Sequence, residues 1–165
     1  MPCACLIPVP QYPDTADWGP ILWTVLHGLA EKAGRAAMPP DEVREWQKLI
    51  KATALMLPCD KCRDHFGRFL KANPVEQLTT IPYKDIRIWV RSWFYTLHNE
   101  VNVEAGKPPF DFALLASTYA SVAFQDLFWR LEPVIKRAIQ LNGVSLMKWQ
   151  AWVHSFRMMR SILAV

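Results

Sequence analysis

"DEVREWQKLIKATALMLPCDKCRDHF", residues 41–66, runs an apolar stripe into a pair of cysteines. Trp46, Leu49, Ile50, Ala54 and Leu57 recur at the spacing of one helix face. Asp41 and Glu42 open the stretch behind two prolines, and negative charge suits a helix N-terminus. Pro58 interrupts the pattern, so Cys59 and Cys62 fall at a junction with a further helix through His65, Phe66, Phe69 and Leu70. A thioredoxin-like fold would place a strand ahead of its CxxC. A helix precedes this one, which argues for an all-α protein.

The flanking sequence repeats the helical period. A first helix is expected from about Asp17, carrying Trp18, Ile21, Leu22, Val25, Leu26 and Leu29, and "AGRAAMPP" ends it. "ANP" stops the CxxC helix at residues 72–74. "TTIP", residues 79–82, predicts the start of a long helix reaching about residue 104, with Thr as cap and Pro in the first turn. "AGKPP" reads as a loop and residues 110–129 as a fifth helix. Pro133 and the Asn142-Gly143 pair divide the remainder into two more, the last with Trp149, Trp152, Val153, Phe156, Met159 and Ile162 on a wide stripe. The expected organisation is a Pro-rich arm at 1–16, a helical domain at 17–124 and a helical extension at 125–165.

Composition agrees. The chain has 165 residues, 52% of them hydrophobic, enough for one domain with a real core. Glycine is scarce and long alternating Val/Ile/Thr runs are absent, which argues against a β-rich fold. The net charge of +4 is scattered, with only Arg157 and Arg160 approaching a cluster, so the basic residues read as solvated helix faces and not as a nucleic-acid surface. No apolar run approaches the roughly 20 residues of a membrane span. "MPCACLIPVPQYP" lacks a charged leader, has no Arg and holds four prolines, so no signal peptide or mitochondrial presequence is expected.

Three segments carry chemistry. The four cysteines form two close pairs, Cys3/Cys5 and Cys59/Cys62. A CxxC at a helix start can exchange electrons as a dithiol and disulfide, because the helix N-terminus stabilises a thiolate. It can equally contribute to a zinc site, which needs about four ligands. Cys3, Cys5, Cys59, Cys62 and His65 would supply them. Inert core cysteines, in a helical scaffold without a cofactor, are the third possibility. In "WFYTLHNEVNVEAGKPPF", residues 93–110, His98, Val101, Asn102 and Ala105 share a helix face beside Asn99. That face suits a phosphate-bearing aromatic ligand, or else is solvated or paired internally. Trp23 and His27 are i, i+4 neighbours that could wall a planar ligand or sit in the core.

Taken together these segments resemble the Erv/ALR family of FAD-linked sulfhydryl oxidases. The matching residues are Trp23, Leu26-His27, Pro58-Cys59, Cys62, His65-Phe66, Asn73-Pro74, Trp93, His98-Asn99, Val101-Asn102, Gly106-Lys107-Pro108 and Phe110, in order across residues 18–120. The resemblance implies a four-helix bundle with a short fifth helix, holding FAD beside the CxxC, and commonly a homodimer. It implies FAD contacts from Trp23, His27, His98, Asn99, Asn102 and Lys107, with Tyr119 near the adenine. It implies that Cys59 meets the thiol-containing protein substrate, that Cys62 faces the flavin, and that dithiol plus O2 gives disulfide plus H2O2. Cys3 and Cys5 then read as a shuttle on the arm, and no metal is expected.

The chain also departs from the family pattern. Pro20 stands where many members have Arg, and Lys32 and Ala33 replace aromatics. Phe112 occupies the place of a structural cysteine. Residues 125–165 have no counterpart in the pattern, and their stripe could pack on the bundle, join subunits or bind a partner. Members lacking the structural cysteine and a targeting segment are similar to virus-encoded ones. That likeness implies the cytoplasm of an infected host cell, or the virion.

Overall fold

The computed structural model describes residues 9–165. Seven α-helices follow in order: α1 (Thr15–Lys32), α2 (Pro39–Met56), α3 (Asp60–Ala72), α4 (Ile86–Glu104), α5 (Leu115–Tyr119), α6 (Phe124–Gln140) and α7 (Leu146–Leu163). Single 3-10 turns stand at Val75–Thr79, Tyr83–Asp85 and Phe112–Leu114. The described residues contain no strand, and none of their helices is long and apolar enough to cross a membrane. The protein is all-α, as expected.

Helix ends follow local chemistry. At α1 the Asp14 carboxylate accepts from the Ala16 N–H, while the Asp14 N–H donates to Asp17 at 2.8 Å. This reciprocal cap starts the helix at Thr15, ahead of Asp17. Pro39 and Pro40 lie inside the first turn of α2, where a missing N–H costs nothing. Glu42 does more than favour that helix end. Buried, it accepts from Gly34 N–H (2.8 Å), Trp46 Nε1 (3.0 Å) and Tyr83 Oη (2.6 Å), and so ties the α1–α2 loop to the turn before α4.

Three expectations are corrected. "TTIP" does not start α4. Pro82 leads into the 3-10 turn at Tyr83–Asp85, and α4 begins at Ile86, whose side chain is buried. The fifth helix breaks after Tyr119, because the chain turns so that Val122 and Phe124 close on Gly28 of α1. A Cβ at Gly28 would lie 2.5 Å from Val122 Cγ2, so tertiary packing overrides local propensity. Pro133 does not end a helix. It sits on the exposed side of α6, while Leu127, Phe128, Leu131, Ile135 and Ala138 bury the opposite face and hold the helix through the lost hydrogen bond.

α1 packs on α4, α5 and α6, while α2 packs on α3 and most extensively on α7. Helices α6 and α7 therefore pack back on α1 and α2, and one hydrophobic cluster runs from Trp18 to Leu163. Phe128, Trp149, Trp152 and Phe156 form a stacked aromatic group, with neighbouring centroids 5.3–6.1 Å apart. Trp152 is fully buried and donates from Nε1 to Thr53 Oγ1 of α2 at 2.9 Å, and Thr53 in turn donates to Leu49 O. Thr53→Val leaves the Trp152 N–H buried without an acceptor. Urea denaturation should show a loss of about 1–3 kcal/mol, with Thr53→Ser close to the native value.

Candidate active site

Pro58 ends the α2 connection and turns the chain so that Cys59 becomes the N-cap of α3. Cys59 and Cys62 form a disulfide with Cα atoms 5.1 Å apart, and Cys59 Sγ accepts from the Cys62 N–H at 3.1 Å. Both cysteines are half-buried. A sulfur at this position faces the positive end of the helix dipole, which favours a thiolate there once the disulfide opens.

α3 is fastened to α4 at several points. Phe66 and Phe69 pack on Trp93 with centroids 5.7 and 5.0 Å away, and Trp93 Nε1 donates to Asn73 O at 2.9 Å. The buried His65 presents Nε2 to Glu100 at 3.5 Å and Nδ1 to Glu104 at 3.1 Å. The zinc reading loses ground on these contacts: two of its thiols are joined as a disulfide, His65 faces two carboxylates, and Cys3 and Cys5 lie outside the described residues.

Beyond Trp93, α4 meets α1. The His98 ring stacks on Trp23, with centroids 4.2 Å apart and planes 6° from parallel. His27 Nε2 lies 3.0 Å from His98 Nδ1, and Tyr119 stacks on the other neighbour, His27, at 4.7 Å. Four residues singled out from sequence, on three separate helices, thus form one aromatic and imidazole cluster. Burial pushes the His27 pKa down to about 3, helped by His98 and Arg91, and burial with Lys107 lowers His98 to about 4. At neutral pH both rings are uncharged, and a ring N–H of one bonds the lone pair of the other.

The remaining candidates sit around this cluster with different tasks. Lys107 is exposed and close enough to His98 to disfavour its protonation, and its N–H caps Asn102 O at 2.8 Å. The half-buried Asn102 amide makes no side-chain hydrogen bond among the described residues. Asn99 is engaged otherwise: it accepts from Phe110 N–H at 2.8 Å and donates to Phe110 O at 3.1 Å, so it pins the loop after α4. Phe112, where a structural cysteine was missed, packs edge-on against Tyr95 at 5.1 Å and carries the Arg91 guanidinium over its ring at 4.9 Å. The segment from Phe110 to Tyr119 is therefore strapped down without a covalent bond. Among the described residues no hydrogen bond joins the disulfide to the aromatic cluster; α4 connects them.

Sequence reasoning missed Glu31, Arg87 and Arg91. Glu31 is buried and pairs with Arg91 Nε at 2.6 Å and Arg87 at 2.9 Å. A signal existed, since Trp23, His27 and Glu31 follow at i, i+4 and i+8 on α1, and Arg87 and Arg91 at i, i+4 on α4. The set of groups fits a dinucleotide flavin: flat aromatic faces, neutral imidazoles, an open amide and a nearby cation.

The model of the Erv1 / Alr family matches residues 20–120. The chain is 32% identical over 97 residues to the FAD-linked sulfhydryl oxidase ERV1 of Oryza sativa subsp. japonica, covering 56% of this chain and 43% of that protein. It is 29% identical over 95 residues to protein 088R of Frog virus 3 (isolate Goorha), provisionally named an FAD-linked sulfhydryl oxidase, covering 56% of this chain and 59% of that one. It is 26% identical over 102 residues to the mitochondrial FAD-linked sulfhydryl oxidase erv1 of Schizosaccharomyces pombe, covering 62% and 53%. The chain spans about half the length of these relatives. No solved structure matches it.

The lowered histidine pKa values set a pH dependence. An unfolded His binds its proton near pH 6.5 while the folded pair resists it, so the unfolded state carries more protons between about pH 6.5 and 4. The stability from this pair is complete above pH 6.5 and falls as pH drops toward 4. Denaturation midpoints measured across that range should slope less in a His27→Asn/His98→Asn chain than in the native one.

Proposed function

The chain belongs to the Erv1/Alr family, and we propose on that basis that it is an FAD-dependent sulfhydryl oxidase forming disulfides in thiol-containing proteins. The observation that carries the reading is the Cys59–Cys62 disulfide at the head of α3, on a helix bolted to the one that presents His98 and Asn102 to Trp23, His27 and Tyr119.

A substrate thiolate attacks Cys59 Sγ, the Cys59–Cys62 bond breaks, and Cys62 leaves as a thiolate. A second substrate thiolate attacks the mixed disulfide and releases Cys59. The substrate has then lost two electrons and the enzyme pair has gained them. The Cys62 N–H and the α3 dipole stabilise the departing Cys59 thiolate, which favours its release. Cys62 is assigned to the flavin side. FAD, when bound, accepts the electron pair and passes it to O2, giving H2O2.

The residues around the cluster bind and orient. Trp23 and Tyr119 offer faces for the ring systems, with Tyr119 toward the adenine. His27 and His98 stay neutral and hydrogen-bond without adding charge to the site. Asn102 supplies an amide and Lys107 a cation for phosphate. Asn99 holds the loop that carries Lys107 and Phe110. Cys3 and Cys5 are assigned as the shuttle pair, the assembly as a homodimer, and the Frog virus 3 relative supports a place in the infected cell's cytoplasm or the virion.

Purified protein should be yellow, with FAD released on denaturation, and should convert a dithiol and O2 to disulfide and H2O2 in equal amounts. Cys62→Ser should keep the colour and reduce peroxide formation to background. A colourless chain that takes up no FAD would overturn the proposal.

A further inference from the structure

Leu57, Pro58 and Cys59 carry the chain from α2 into α3, and the first two are buried. Three successive carbonyls on such a path need donors. Each has one. Leu57 O accepts from the Arg63 guanidinium, Pro58 O from Tyr12 Oη at 2.6 Å, and Cys59 O from the Arg63 N–H at 2.9 Å. Two of the three donors belong to Arg63, the residue after Cys62. The same guanidinium donates to Asp60 and, at 3.2 Å, to Gly143 O in the turn between α6 and α7. That turn also seats Tyr12: a Cβ at Gly143 would stand 2.0 Å from Tyr12 Oη and 2.3–2.4 Å from its ring carbons. The φ of Gly143 lies outside the left-handed region, so the glycine answers to Tyr12 and not to the turn. Gly143 therefore supports both holders of the CxxC loop, from 80 residues beyond Arg63.

We propose that Arg63 is a positioning residue through which the α6–α7 turn sets the reactivity of Cys59. In the disulfide, the bond to Cys62 itself keeps Cys59 at the head of α3. Once thiol exchange has opened that bond and released Cys59 as a thiolate, the segment is held from outside, by Arg63 and Tyr12. Held there, the sulfur keeps the Cys62 N–H, 3.1 Å away in the closed pair, and the positive end of α3. A segment free to swing would give up both. The Arg63 charge is met by Asp60, so the effect travels through the position of the carbonyls and not through a bare cation. Arginine suits the task because one planar fork reaches Leu57 O, Gly143 O and Asp60 together, which an ammonium on a single stem does not.

The proposal rests on the sulfhydryl-oxidase reading for the use made of the Cys59 thiolate, and the test keeps the two apart. The full chain is reduced with dithiothreitol, freed of it, and alkylated with iodoacetamide under nitrogen across about pH 5–9, on either side of neutrality. Alkylation of the Cys59 peptide is followed by mass spectrometry. Arg63→Gln should slow it about tenfold near neutral pH and displace its pH–rate profile upward, the order of one hydrogen bond to a charged group. Gly143→Ala should slow it about threefold, since either Tyr12 or the turn must give way. Tyr12→Phe removes only the oxygen, should act in the same direction, and serves where Gly143→Ala does not fold. Arg63→Lys should stay closer to Arg63→Gln than to the native chain. A fold that is merely weakened would lower the denaturation midpoint and leave the profile in place. A native rate and profile in any folded member of this set would overturn the proposal. FAD uptake and peroxide formation are read on the native chain. Their absence would remove the oxidase reading, while the contrast between the native and Arg63→Gln profiles would still decide the role of Arg63.

Discussion

Trp93 sets the register on which the site depends. Its indole N–H bonds the carbonyl of Asn73, where α3 ends, while its ring is gripped by Phe66 and Phe69 from the same helix. A buried N–H without an acceptor would be costly, so this bond holds one arrangement of α3 on α4 and excludes its neighbours. Cys59 and Cys62 lie at one end of α3, and His98 and Asn102 lie five and nine residues beyond Trp93 on α4. Locking the two helices at Trp93 therefore fixes where the Cys59–Cys62 disulfide stands relative to the aromatic cluster. Phe94, next in sequence, turns the other way and packs edge-on to Trp93 in the core.

The seam between α1 and α4 grades from aromatic to ionic. Trp23 and His27 face His98 in one part, and Glu31 faces Arg91 and Arg87 further on. Burial keeps both imidazoles uncharged, and neighbouring cations, Arg91 for His27 and Lys107 for His98, work in the same direction. A proton on either ring would meet a poor dielectric and a like charge. Glu31 is the carboxylate that makes two arginines tolerable in such a place. The cost of burying it is offset only because both of its oxygens are bonded.

Two features of this chain replace covalent or local solutions with packing. Phe112 is held by ring contacts with Tyr95 and Arg91, and Asn99 clips Phe110 through both of its amide atoms. The helical extension lays α6 on α1 and α7 on α2, where Trp152 shares a hydrogen bond with Thr53. It thereby joins the same hydrophobic core, and its connecting turn reaches the CxxC loop through Arg63.

Much of this was readable along the chain. Apolar spacing placed the stripes of α1, α2 and α7, since a helix face is set by residues three and four apart. Pro58 before the cysteines marked the junction, and the likeness of the histidine, asparagine and glycine-lysine-proline segments picked out Trp23, His27, His98 and Tyr119 before any contact was known. What periodicity could not supply was competition between distant parts. The break after Tyr119 exists because Val122 and Phe124 must reach Gly28, and Pro133 survives in α6 because the far face is buried. Asn99 and Asn102 look alike in sequence, yet one is tied to Phe110 and the other is open. The sequence by itself determined the apolar helix stripes and the chemistry they could carry, because both depend on neighbours a turn apart. Only the tertiary structure decided which of those groups meet, and that Tyr12, Arg63 and Gly143 close around the cysteines, because contacts 46 and 80 residues apart arise from packing alone.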